Sequence, residues 1–185
     1  MQLFIDHLSS PIGTLTLAWD DGALRALDFH GFEDRFQRLL ESHYGKCQLK
    51  RAQMPDSFRA ALDAYFKGNF SLIEALPVRT GGTSFQQQVW AALREIPAGT
   101  TMSYGELAIK IGKPSASRAV GGANGANPVG IVVPCHRVIG ADGSLTGYGG
   151  GMERKRWLLE HERAHLPHVA RQKLPIQRSL SSIFI

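Results

Sequence analysis

The chain has 185 residues, 43% of them hydrophobic and 20% charged, the composition of a globular protein of one domain or two small ones with enough apolar side chains for a real core. No apolar run approaches the length of a membrane span, and the start MQLFIDHLSS lacks the features of a signal peptide, so no membrane association is expected and a cytoplasmic location is. Two cysteines, Cys47 and Cys135, argue against a disulfide scaffold. The net charge of +5 is uneven: residues 1–78 carry −2 and residues 79–185 carry +7. A basic half suits a polyanionic partner, because Lys and Arg gain affinity by displacing counterions from nucleic-acid phosphates, although a merely basic protein would show the same excess.

From Leu3 to Asp28 the pattern predicts strands and turns: a strand at Phe4–His7, a turn at Ser10–Gly13, alternation over Thr14–Trp19, a hairpin turn at Asp21-Gly22 and a strand at Leu24–Phe29. This is a small antiparallel sheet. Glu33–Tyr44 carries Phe36, Leu39 and Leu40 at helical spacing, and Asp56–Phe66 repeats the pattern with Phe58, Leu62, Tyr65 and Phe66 before a stop at Gly68. His7, His30, His43 and Cys47 have no metal-ligand spacing, so no metal is expected.

Proline, charge and two glycines over Leu76–Gly82 mark a boundary, giving domains at 1–78 and 79–165. Thr83 or Ser84 caps a helix reaching Leu93 or Arg94, with Phe85, Val89, Trp90 and Leu93 on one face. Ser103 begins a second helix, Tyr104–Ile111, stopped by Gly112-Lys113-Pro114, and Ser115 begins a third, from Ala116 to Gly122 or Ala123. Two short helices across a tight Gly/Pro turn read as a helix-turn-helix. The third helix is unusual for a major-groove reader, since Ser117, Ala119, Gly121 and Gly122 offer almost no reach toward base edges. Arg118 is its one long cation; taken alone, it reads equally as a surface arginine on a packing helix.

The apolar run Ile131–Val133 then delivers Pro134, followed by Cys135, His136 and Arg137. This predicts a thiol presented at the end of a buried strand, because proline fixes φ, lacks an N–H and can end ladder pairing. A free thiol has a pKa of about 8.5, so nucleophilicity near neutral pH needs a cation or a base. His136 and Arg137 are the local candidates, and His136 suits a general base acting through a water. A buried structural cysteine is the competing reading. Gly140–Gly143 forms a turn, and Thr146–Gly151 is a loop of unusual backbone freedom without the GK[ST] of a phosphate cradle. Met152–Glu162 reads as a helix with Trp157, Leu158 and His161 inward and Arg154-Lys155-Arg156 exposed, and 166–185 as a poorly ordered tail.

PCHRVIG, TGYGGG and WLLEHE, preceded by FQQQVW at Phe85, IPAGTTMSYGELA at Ile96 and SRAVGGANGANP at Ser117, resemble in order and spacing the motifs of the O6-alkylguanine-DNA alkyltransferases, or methylated-DNA–protein-cysteine methyltransferases. The resemblance implies an α/β protein with an N-terminal ribonuclease-H-like sheet-and-helix domain and a C-terminal domain of winged-helix, helix-turn-helix type. It implies irreversible, single-turnover transfer of an alkyl group from O6-alkylguanine, and possibly O4-alkylthymine, in double-stranded DNA to Cys135. His136 would take the thiol proton, Glu162 would orient His136, and Tyr104 would assist departure of the guanine and contact the backbone. Ser117, Arg118, Ala119 and Gly121 would meet the minor groove, Arg118 replacing the base swung out of the stack. Asn127 would brace the site, and Pro134, Val138, Tyr148 and Gly149 would form its pocket. Gly149 stands where many relatives carry serine, so a side-chain contact is expected to be absent or replaced by backbone. The implied protein is a monomer without a cofactor. A non-catalytic binding module would replace the cysteine, commonly by tryptophan, and a cysteine hydrolase would not explain Arg118 or the basic half.

Overall fold

The computed structural model describes residues 1–166. Strands β1 (Gln2–Leu8), β2 (Leu15–Asp20) and β3 (Ala23–Phe29) form an antiparallel meander, and β4 (Gln48–Arg51), unforeseen in the sequence, adds in parallel to β1, giving the order β3-β2-β1-β4. Asp21 and Gly22 both have positive φ, 41° and 72°, the geometry of the two-residue turn whose twist matches that of its strands. Helix α1 (Glu33–Tyr44) makes the crossover to β4 and lays Phe36 and Leu40 on Leu3, Ala18 and Ala26. The other face, with Leu15, Leu17, Trp19 and Leu27, packs on Phe58, Leu62 and Tyr65 of α2 (Asp56–Phe66) in a core that continues into the second half of the chain. A one-turn helix, α3 (Ser71–Glu74), follows.

In that half, Thr83 closes a reciprocal capping box with Gln86 at the start of α4 (Ser84–Arg94), and Ser103 does so with Glu106 at the start of α5 (Tyr104–Lys110). Helix α6 spans Ser117–Gly125, and the expected start at Ser115 is corrected: Ala116 occupies the cap position, no side chain caps the helix, and it runs past Ala123. Short parallel strands β5 (Met102–Ser103) and β6 (Val138–Ile139) pair, and α7 (Met152–Ala164) closes the fold. No helix among the described residues is long and apolar enough to cross a membrane. The tail expected over 166–185 lies, apart from Leu166, outside the described residues.

The halves meet on β3. Leu24 exchanges backbone bonds with Pro77 and Arg79, and Leu27 with Pro128 and Gly130, all at 2.9 Å. The segment that enters the cysteine turn is therefore anchored on the N-terminal sheet.

Candidate active site

The cysteine is not at the end of a strand. Of the described residues between Asn127 and Cys135, Val129 alone bridges to β3; Ile131 has φ of 68°, and the chain coils through Val132 and Val133 into a 3-10 turn, Cys135–Arg137. The reason is local: Asn127 accepts from Val129 N at 3.0 Å and donates to Val133 O at 2.8 Å, replacing a ladder with side-chain bonds. Cys135 N donates to Val133 O at 2.8 Å, and Asn124 Nδ2 to Cys135 O at 3.4 Å. Cys135 is 6% exposed. Burial pushes its thiol up, against a hydrogen bond with Asn127 and the charges of Arg35 and Lys155, while Asp28 acts with burial.

Arg137, expected as an activating cation, is spent elsewhere. It is buried and grips Glu162 through Nε (3.0 Å to Oε2) and Nη2 (2.9 Å to Oε1), with Nη1 on Ile96 O. His136 and Glu162 are both fully buried, with Nε2 to Oε1 at 2.8 Å. Glu162 also accepts from Tyr65 Oη at 2.8 Å and Gly99 N at 2.9 Å. Burial alone would raise its carboxyl, but His136 and Arg137 outweigh that and hold it well below the usual carboxylate range. A carboxylate can only accept, so Nε2 carries the proton and Nδ1 of neutral His136 has a free lone pair. Nδ1 is buried and has no hydrogen-bond partner among the described residues. Burial, partly opposed by Glu162, holds the imidazole below its ordinary pKa. His136 is neutral at neutral pH and able to take a proton.

The loop after the turn packs against His136 through Tyr148. Lys155, expected on the surface with Arg154 and Arg156, is instead fully buried, its Nζ donating to Val138 O (2.6 Å) and Thr146 O (3.0 Å); Arg154 is half-buried and only Arg156 is exposed. Burial lowers the Lys155 pKa to about 8, with the Cys135 charge opposing. Thr146 Oγ1 bonds Tyr104 Oη at 3.0 Å, tying the loop to the start of α5. Tyr148 stands edge-on to His136 and Phe29, and Pro134 and Val138 are buried beside the turn. The contact expected to be missing at Gly149 has a physical substitute from the N-terminal half. A Cβ there would lie 2.4 Å from Arg35 Cζ, and Arg35 is itself paired with buried Asp28. The absent side chain leaves room for a guanidinium.

Helix α6 reaches the turn through Asn124. Its inner face, Val120, Ala123 and Asn124, is buried, while Ser117, Arg118 and Ala119 are exposed and Gly121 half-exposed. Gly121 passes the Tyr104 ring closely enough that a Cβ would sit at 3.8 Å. Among the described residues Arg118 forms no salt bridge. Contacts thus join Cys135 to Asn127, His136 to Glu162 and Tyr148, and Tyr104 to the loop, whereas Arg118 lies on the outer face and connects to the turn only through α6. No group of three or more His, Cys, Asp or Glu among the described residues is placed to hold a metal. Arg35 and Tyr65 escaped the sequence reading. The one available signal was Tyr65 on an inward helix face, since a buried tyrosine hydroxyl needs a partner.

Residues 4–80 match the ribonuclease-like domain, and residues 84–164 the DNA binding domain, of the 6-O-methylguanine DNA methyltransferase family. The methylated-DNA–protein-cysteine methyltransferase of Salmonella typhimurium is 48% identical over 165 residues, covering 88% of this chain and 96% of its own. That of Mycobacterium tuberculosis is 49% identical over 164 residues, covering 86% and 92%. Among solved structures, the M. tuberculosis O6-methylguanine methyltransferase superposes with a TM-score of 0.72 at 44% identity over 90% of this chain and 96% of that one. The same protein in complex with DNA gives 0.73 at 42% identity, over 92% and 98%. A ribonuclease-like half joined to a DNA-binding half, with a buried His–Glu pair beside a buried cysteine, is the architecture of the DNA methyltransferases that these comparisons return. The chain belongs to the 6-O-methylguanine DNA methyltransferase family.

Proposed function

We propose that this protein repairs O6-alkylguanine, and on the same chemistry O4-alkylthymine, in double-stranded DNA by moving the alkyl group onto Cys135. The observation that carries the reading is the buried His136–Glu162 pair, next in the chain to buried Cys135, with Nε2 committed to the carboxylate and Nδ1 without a partner among the described residues. Sγ attacks the alkyl carbon as the bond from that carbon to O6 breaks. The thiol proton passes through a water to Nδ1, Glu162 steadies the imidazolium, and Tyr104 donates a proton to the departing guanine. Deprotonation during attack suits a thiol whose pKa is raised by burial, since a resting thiolate is disfavoured there.

The exposed face of α6, Ser117 to Gly121, lies in the minor groove, and Arg118 enters the stack in place of the extruded nucleotide. The extrusion costs a few kcal/mol, which Arg118 offsets in part. Asn127 braces the turn, and Pro134, Val138, Tyr148 and Gly149 shape the pocket. The product is a thioether, which a second thiol does not readily cleave, and Cys47 belongs to the separate cluster under α1. Each molecule therefore acts once, as a cytoplasmic monomer with domains at 1–78 and 79–165 and no cofactor. Intact-protein mass after incubation with a duplex bearing one O6-methylguanine tests this. Wild type should gain one methylene mass, saturating at one per chain and mapping to Cys135, and Cys135→Ala none. Binding without a mass change would leave a damage-binding module instead.

A further inference from the structure

Five donor atoms from four residues converge on Glu162, and one comes from the other half of the chain. The Tyr65 hydroxyl, on α2, donates to Oε1 at 2.8 Å, the oxygen that also takes Nε2–H of His136 at 2.8 Å. Gly99 N and the shorter of the two Arg137 Nε contacts go to Oε2. Tyr65 is fully buried and held at both ends by α7, because its carbonyl oxygen pairs with His161 Nε2 at 2.8 Å. Its ring lies edge-on to Phe66 and Phe70 and beside His161, so its packing does not depend on the hydroxyl.

We propose that Tyr65 is a positioning residue for alkyl transfer: its hydroxyl sets how strongly Glu162 Oε1 holds the Nε2 proton of His136, and hence the pH below which His136 cannot accept the proton of Cys135. The inference rests on the Cys135–His136–Glu162 reading above. A donor sharing Oε1 draws electron density from it and weakens the bond that stabilises imidazolium, keeping His136 neutral to lower pH. Burial and the Glu162 charge hold the phenol well above its ordinary value, so it remains a donor across the working range. The other charged or titratable groups facing His136 and Glu162 are Arg137 from the turn, Lys155 and His161 from α7 and Tyr148 from the loop. None of these is altered by a change confined to the Tyr65 hydroxyl.

The test compares full-length wild type, Tyr65→Phe and protein with 3,5-difluorotyrosine placed at position 65. Each is mixed in excess with O6-methylguanine duplex, and single-turnover transfer rates are measured against pH beside affinity for undamaged duplex. Phenylalanine removes the donor and should move the acid limb up by roughly half a pH unit, about a threefold change in neutral His136 below the midpoint. Difluorotyrosine, a more acidic and stronger donor of similar shape, should move it down, and DNA affinity should stay within about twofold in both. A purely structural hydroxyl would change stability without displacing the profile. Coincident profiles, or shifts of the same sign, would overturn the proposal. Should Tyr65→Phe not fold, the difluorotyrosine protein decides alone, a downward shift supporting and no shift refuting. If wild type transfers no alkyl group, the parent reading falls and this one with it; if wild type transfers and the profiles coincide, only the role of Tyr65 falls.

Discussion

Replacing Arg137 by methionine keeps much of the side chain's apolar stem and removes its charge from a site without solvent. Arg137 is 3% exposed and Glu162 is fully buried, so water cannot take over its two short contacts to the carboxylate, at 2.9 and 3.0 Å. Stranding one member of a buried ion pair costs about 3–5 kcal/mol, a large part of a total stability of about 5–15 kcal/mol. The loss should depend on pH with a defined sign. In the wild type the folded pKa of Glu162 lies below its unfolded value of 4.5, so its contribution is complete above that value and disappears as pH falls toward the depressed one. In Arg137→Met the buried Glu162–His136 pair is left with an uncompensated negative charge at neutral pH, so it takes up a proton more readily as pH falls, which relieves the penalty. Urea unfolding of both proteins at about pH 7 and about pH 5 should give a destabilisation several-fold larger at the higher pH. A loss under about 1 kcal/mol, or the same loss at both pH values, would refute the assignment of Arg137 as the counter-charge of Glu162.

The wild-type transfer rate should fall as pH drops through the pKa of His136, and because burial holds that value below 6.5, a midpoint above it in single-turnover assays would contradict a neutral buried imidazole as base. Arg118→Ala should slow transfer from duplex DNA by about tenfold or more while leaving transfer from a single-stranded oligonucleotide nearly unchanged, because only the duplex carries the extrusion cost; equal slowing on both substrates would show that Arg118 acts otherwise. Gly149→Ser places a Cβ against Arg35 and should cost about 1–3 kcal/mol, less in an Arg35→Ala background, as a double-mutant cycle by urea unfolding would read out; additive losses would refute the contact.

Local chemistry carried most of what the sequence disclosed. The Asp21-Gly22 turn, the Thr83 and Ser103 caps and the apolar faces of α1, α2 and α4 are decided within a few residues, and the structure has them where the spacing put them. The thiol turn was misread because an apolar run looks the same whether it pairs in a ladder or coils around an asparagine, and only the Asn127 bonds to Val129 and Val133 separate the two. Lys155 was placed outside because it sits in a basic triplet, yet the carbonyls of Val138 and Thr146 that accept it belong to other segments. Periodicity puts Tyr65 on an inward face without naming its partner, and it says nothing of Arg35. Tyr65 meets Glu162 across 97 residues, and Arg35 reaches the carbonyl of Gly125 across 90.

The two pairs of backbone bonds on β3 give the molecule an unusual topology of attachment. The chain leaves that strand's edge at Pro77–Arg79 and returns to it at Pro128–Gly130, three residues along on the same strand, so everything between is a closed excursion with both feet on one base. Cutting the backbone within Thr80–Gly82 would sever the covalent route between the halves but neither foot. A nicked protein should stay assembled and unfold as one body, its two fragments still joined by the Pro128–Gly130 foot on β3, by Tyr65 bonded to α7 and by the shared core.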